Sequence, residues 1–120
     1  MRFNRSVPAF AVAAVVVMAA GAVSAHARLV SSTPAANTTV AAPRSIALTI
    51  SERMVPAFST FEIVTTAGAK AAVSTAVSED GRSITGALAR PLAAGGYTVN
   101  WIIASNDGHR MTGSYAFTVR

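Results

Sequence analysis

Asp107, Gly108 and His109 put a carboxylate and an imidazole two residues apart, inside the stretch YTVNWIIASNDGHRMTGSYAFTV at positions 97–119. The glycine between them leaves the backbone free to bend, so both side chains can point toward one place. Such a pair can hold a metal ion. Set between two apolar alternating runs, Asp-Gly is equally the strongest short signal for a plain β-hairpin. The one other histidine of the chain is His26. If the chain is cut after Ala25, His26 becomes the amino terminus, and its α-amine and ring Nδ1 can close a six-membered chelate on one ion. With the ring of His109 and the carboxylate of Asp107 the donors number three nitrogens and one oxygen, a set that suits tetragonal Cu(II). The coincidence of His26 with the Asp107–His109 pair carries the metal reading, because neither element carries it alone.

The cut after Ala25 is itself read from the sequence. Arg2 and Arg5 form a positive start, residues 9–20 are uninterruptedly apolar, and Val23-Ser24-Ala25 offers the small residues a signal peptidase requires. A retained membrane anchor competes with this, but the run is short for a bilayer span and is interrupted by Gly21 and Ser24. Residues 1–25 are therefore expected to be a cleaved signal peptide, and residues 26–120 a single domain that is periplasmic or otherwise exported. Loss of Arg2 and Arg5 lowers the formal charge from +5 to +3. The remaining basic residues are scattered without a run, which argues against a nucleic-acid partner despite a pI near 11.2. No cysteine is present, so the domain has neither disulfides nor thiolate ligands and must fold on its apolar core.

The elements that must position these residues read as β throughout. Residues 45–51 (SIALTIS) alternate with Ile46, Leu48 and Ile50 on one face, residues 58–66 are rich in aromatic and β-branched types, and Asp80-Gly81 marks a further hairpin. Weaker runs lie at 27–32, 71–77 and 82–88, with loops at 33–37 and 91–96. In the run that starts at Tyr97, Val99, Trp101 and Ile103 share its face, and Trp101 is expected in the core between two sheets. Seven short runs with turns every 8–12 residues, and no helical period, predict an all-β protein: a Greek-key antiparallel β-sandwich with two packed sheets.

The start HARLVSSTPA from His26, the strand that ends in Ser51-Glu52 and the block at 97–119 together resemble the CopC-type periplasmic copper-binding proteins of copper resistance. The resemblance implies a small cupredoxin-like sandwich that binds Cu(II) through an amino-terminal histidine and a D-x-H turn. Carried over, it puts the amine and ring of His26, the ring of His109 and the carboxylate of Asp107 on copper. Glu52 takes the position of a family carboxylate near the metal, although a solvated acid beside Arg53 is an equal reading. A CopD-type membrane copper transporter is the implied partner, the copper ion is the cargo, and a monomer is expected. Members with a methionine-rich loop also hold Cu(I), but here only Met54 and Met111 remain after the leader, and these are expected to be packing residues.

Two other classes stay open on the residues. An amino-terminal histidine with a second imidazole also resembles the copper brace of oxidative polysaccharide monooxygenases, which need a flat substrate surface with exposed aromatics. The other class is a metal-free immunoglobulin-like interaction module with an ordinary Asp-Gly turn. A blue-copper carrier is excluded, because its cysteine ligand is absent. The function expected is Cu(II) buffering, tolerance or delivery, with no catalytic step.

Overall fold

Alternation sets the sandwich. The computed structural model describes residues 27–120, so the leader, the cleavage point and His26 lie outside the described residues. In β3 (Ser45–Ile50) every second side chain turns inward, and Ile46, Leu48 and Ile50 are fully buried. It lies between β1 (Leu29–Thr33) and β7 (Ser83–Leu88), and β6 (Val73–Val77) completes a four-stranded sheet in the order β1-β3-β7-β6. The second sheet has the order β2 (Thr39–Val40), β9 (Arg110–Val119), β8 (Gly95–Ala104), β4 (Thr60–Thr65), β5 (Lys70–Ala71). All pairs are antiparallel except β2 with β9, which is parallel. The inner faces meet through Phe61 and Ile63 of β4, Ile84 of β7, Tyr97, Val99 and Ile103 of β8, and Tyr115, Phe117 and Val119 of β9. Burial of each such side chain is worth about 1.5–3 kcal/mol.

β8 and β9 form the long hairpin that carries the Asp107–His109 turn, with every residue paired from Gly95↔Val119 to Ala104↔Arg110. Trp101 shares the inward face as expected but is only half-buried, packed against the core and tilted on Tyr115 at 6.4 Å. Its indole lies across Gly113, where a Cβ would come within 2.1 Å of Trp101 Cζ2. Glycine at 113 is thus the space the tryptophan occupies.

Several boundaries differ from the sequence reading. The strand expected from residue 58 starts at Thr60, because Pro56–Phe58 forms a 3-10 turn; proline fixes φ and has no N–H to give to a ladder. The run at 71–77 is two strands in different sheets: β5 pairs with β4 and β6 pairs with β7. Small residues through Ala71 and Ala72 hide that crossing, since they commit to neither face. β2 was not expected at all, and two residues are too few to show a period. β8 begins at Gly95, within the expected loop.

The hydrogen bonds align the two sheets end to end. Met54 N–H donates to Gly81 O of the β6–β7 turn, and Met54 bridges to Ser105 of the β8–β9 turn. One end of the sandwich therefore gathers both turns, residues 51–55 and the start of β1. The β4–β5 turn, the chain after β7 and the end of β9 lie at the other end.

Candidate metal centre

The turn at 105–109 is a compact unit. Gly108 N–H donates to Ser105 O (3.0 Å) and Ser105 N–H to His109 O (2.9 Å). Gly108 has φ +87°, whereas Asn106 and Asp107 keep negative φ. A two-residue type I′ hairpin, which needs positive φ at both central residues, is thereby excluded. The geometry is that of a type I turn closed by a left-handed glycine bulge. A Cβ at 108 would meet nothing within 4 Å, so glycine is required there for conformation and not for space.

Asp107 is held on both oxygens. Oδ1 accepts from Ser105 Oγ and from His109 N–H (3.1 Å), and Oδ2 lies 2.9 Å from His109 Nδ1. Ser105 is 2% exposed, whereas the side chains of His109 and Asp107 are 54% and 37% exposed. The Ser105 hydroxyl, then the side chain and the backbone N–H of His109, hold the Asp107 carboxyl well below the usual carboxylate range. It is therefore an anion at neutral pH. The arrangement presents a fixed carboxylate and a fixed ring nitrogen to solvent, so it can receive a cation.

The same scaffold occurs twice. Ser78-Glu79-Asp80-Gly81-Arg82 repeats Ser105-Asn106-Asp107-Gly108-His109: Gly81 N–H donates to Ser78 O (2.9 Å), Asp80 Oδ1 accepts from Ser78 Oγ and from Arg82 N–H (3.0 Å), and Gly81 has φ +72°. The Asp80 carboxyl is lowered too, by the Ser78 hydroxyl and then the Arg82 N–H. Ser-x-Asp-Gly is therefore a turn-forming device of this fold. The fifth residue separates the two: arginine closes one, and histidine sets an imidazole beside the carboxylate in the other. Sequence reading missed Ser105 altogether. The signal that could have found it was this repeat, with serine two residues ahead of each Asp-Gly.

Residues 51–55 connect the turn to the start of the described chain. Arg28 N–H donates to Ser51 Oγ (2.9 Å), and Ser51 N–H donates to Arg28 O (2.9 Å). Two residues on, Asn106 N–H donates to Arg53 O (3.3 Å), and two beyond that Val55 N–H donates to Ala104 O (2.8 Å). Ala27, the neighbour of His26 in sequence, is 3% exposed. Glu52 is half-buried between these two attachments. Among the described residues no group of three His, Asp or Glu side chains is placed to hold a metal ion. Met54 is buried and Met111 packs against the core, as expected of packing residues.

Comparison with known proteins identifies the family to which this fold belongs. The CopC domain family matches residues 29–120. The copper resistance protein C of Xanthomonas campestris pv. juglandis is 34% identical over 97% of both chains, and that of Pseudomonas syringae pv. tomato is 44% identical over 80% of this chain and 82% of that one. Among solved structures, PcoC, a methionine-rich copper resistance protein from Escherichia coli, superposes with a TM-score of 0.74 at 38% identity, covering 80% of this chain and all of the other. CopC from Methylosinus trichosporium OB3b gives 0.72 at 34% identity over 78% of this chain and 93% of that one. With a family match across residues 29–120 and relatives this similar over most of their length, the chain belongs to the CopC family.

Proposed function

We propose that this protein is an exported Cu(II)-binding protein of copper resistance, which buffers copper or delivers it to a CopD-type membrane transporter and catalyses no reaction. Copper is held by the α-amine and ring of His26, the ring of His109 and the carboxylate of Asp107, with Glu52 alongside as a ligand, a partner to a ligand or a solvated acid. Family membership and the relatives' names support copper as the cargo. The observation that carries the ligand set is the shared anchorage on residues 51–55: Arg28 is tied to Ser51 and Asn106 to Arg53, so the start of the described chain and the ligand turn share one end of the sandwich.

The pair also has the right bite. Adjacent donors of a square ion with bonds of about 2.0–2.1 Å are separated by about 2.9 Å, and Asp107 Oδ2 and His109 Nδ1 stand 2.9 Å apart. A metal can replace the proton this pair shares without rebuilding the turn. The donors are nitrogen and oxygen, and the two methionines outside the leader are spent on packing, which favours Cu(II) over Zn(II) and over Cu(I).

The test is a chain with one alanine placed ahead of a mature His26. Every side chain remains, but the amine leaves chelating position. Cu(II) affinity by chelator competition should drop at least hundredfold, and electron paramagnetic resonance should show loss of coordinated nitrogen. Unchanged affinity and spectrum would remove the amine, and the ligand set with it. Mass spectrometry of the exported protein should show a chain that starts at His26.

A further inference from the structure

Side-chain charge is segregated along the sandwich. The end with the ligand turn carries Arg28, Arg53, Arg82 and Arg110 against Glu52, Glu79, Asp80 and Asp107, and is formally neutral. At the other end Arg44, Lys70, Arg90 and Arg120 meet one acid, Glu62, whose Oε2 lies 3.1 Å from Lys70 Nζ. The whole +3 of residues 27–120 therefore sits at the end away from the ligand turn. Arg44, Arg90 and Arg120 are exposed and form no ion pair among the described residues. Ten-residue strands separate the two ends by about 30 Å, roughly three Debye lengths at 0.1 M salt. The field of the cationic end is thus not cancelled by anything at the other.

The same end is shaped as well as charged. A cavity of about 440 Å³ lined by Lys70, Arg90, Leu92 and Tyr97 opens there, and one of about 260 Å³ lined by Pro43, Arg44 and Arg90 adjoins it across residues 89–91. The cations come from separate segments: before β3, in β5, after β7 and after β9. The buried members of the lining specify no small ligand, since Leu92 is apolar and the Tyr97 hydroxyl is already given to Ala93 O at 2.6 Å. Dispersed, solvated point charges over a shallow apolar floor fit a diffuse anionic plane, not a shaped partner or a single small anion.

We propose that this end docks on an anionic membrane surface, through lipid phosphates, and leaves the ligand turn facing away from the lipid. The inference does not depend on which residues bind copper. Each Lys or Arg near such a surface adds attraction that fades within a Debye length.

The test is co-sedimentation of the exported protein with vesicles of phosphatidylcholine, with or without phosphatidylglycerol, at low salt. Binding should require phosphatidylglycerol, fall at least tenfold in Arg44→Glu/Arg90→Glu, and vanish in 0.5 M salt. Arg53→Glu/Arg110→Glu makes the same change of net charge at the other end and should bind within twofold of the parent. Trp101 emission confirms that each variant is folded. The proposal is overturned if both double variants lose binding equally, if neither does, if neutral vesicles bind as well, or if no vesicle binds. Displacement by millimolar inorganic phosphate at constant ionic strength would also overturn it, by showing a small-anion pocket.

Discussion

At the scale of single residues, His109 and Asp107 have different work although they touch. Metal donors must shed their protons, and amines and imidazoles ordinarily do so at about 7.7–8.0 and about 6.5. The Asp107 carboxyl is already held far below its usual range by Ser105 and His109. Copper affinity should therefore decline steadily as pH falls from about 8 to about 5, with Asp107 anionic throughout. For folding the sign is the one for a depressed carboxyl: its contribution is present above the unfolded value of about 3.9 and is lost as pH falls below that toward the folded pKa. His109→Ala should weaken Cu(II) by more than the roughly 10–100-fold typical of losing a partner behind a ligand, and Asp107→Asn by less, because a neutral oxygen still fills the position. Chelator competition across pH measures both. An Asp107→Asn effect larger than that of His109→Ala would reverse these roles.

At the scale of elements, the two Ser-x-Asp-Gly turns form an internal control. Each serine hydroxyl supports the same carboxylate geometry, so Ser78→Ala and Ser105→Ala should both destabilise the fold, by about 0.5–1.5 kcal/mol, with the larger loss at buried Ser105 than at exposed Ser78. Only Ser105→Ala should also reduce copper affinity, by about 10–100-fold, because only there does the carboxylate orient a histidine. Thermal melts with copper titrations of both variants decide it. Equal copper effects would mean that the serine acts through general stability. Asp-Gly was legible in the chain as a hairpin at both places, but the turn type was not, because the bulge depends on how β8 and β9 come into register around it. For the same reason the metal reading and the plain-turn reading do not exclude one another: the hairpin turn itself sets the carboxylate of Asp107 beside the ring of His109.

At the scale of the whole molecule, packing without disulfides makes the inner faces decisive. Gly113→Ala places a methyl group into the ring of Trp101, and overpacking of this kind costs about 1–3 kcal/mol. Chemical unfolding should show that loss together with a changed Trp101 emission, while Cu(II) affinity of the folded protein stays near that of the parent; a neutral substitution would mean that the indole does not lie across Gly113. The all-β class, the faces of β3 and β8 and the adjacency of Asp107 and His109 were decided by the sequence alone, since alternation and turn chemistry are local properties written at spacings of two to five residues. The split of residues 70–77 between two sheets, the short parallel β2 and the gathering of residues 27–28, 51–55 and 105–109 at one end were decided only in three dimensions. The parallel β2 and the gathering at one end depend on hydrogen bonds between residues tens of positions apart, such as Arg28 with Ser51 or Arg53 with Asn106. No local pattern reports such a pairing, because its partner is chosen by which strand edges the packed core brings together.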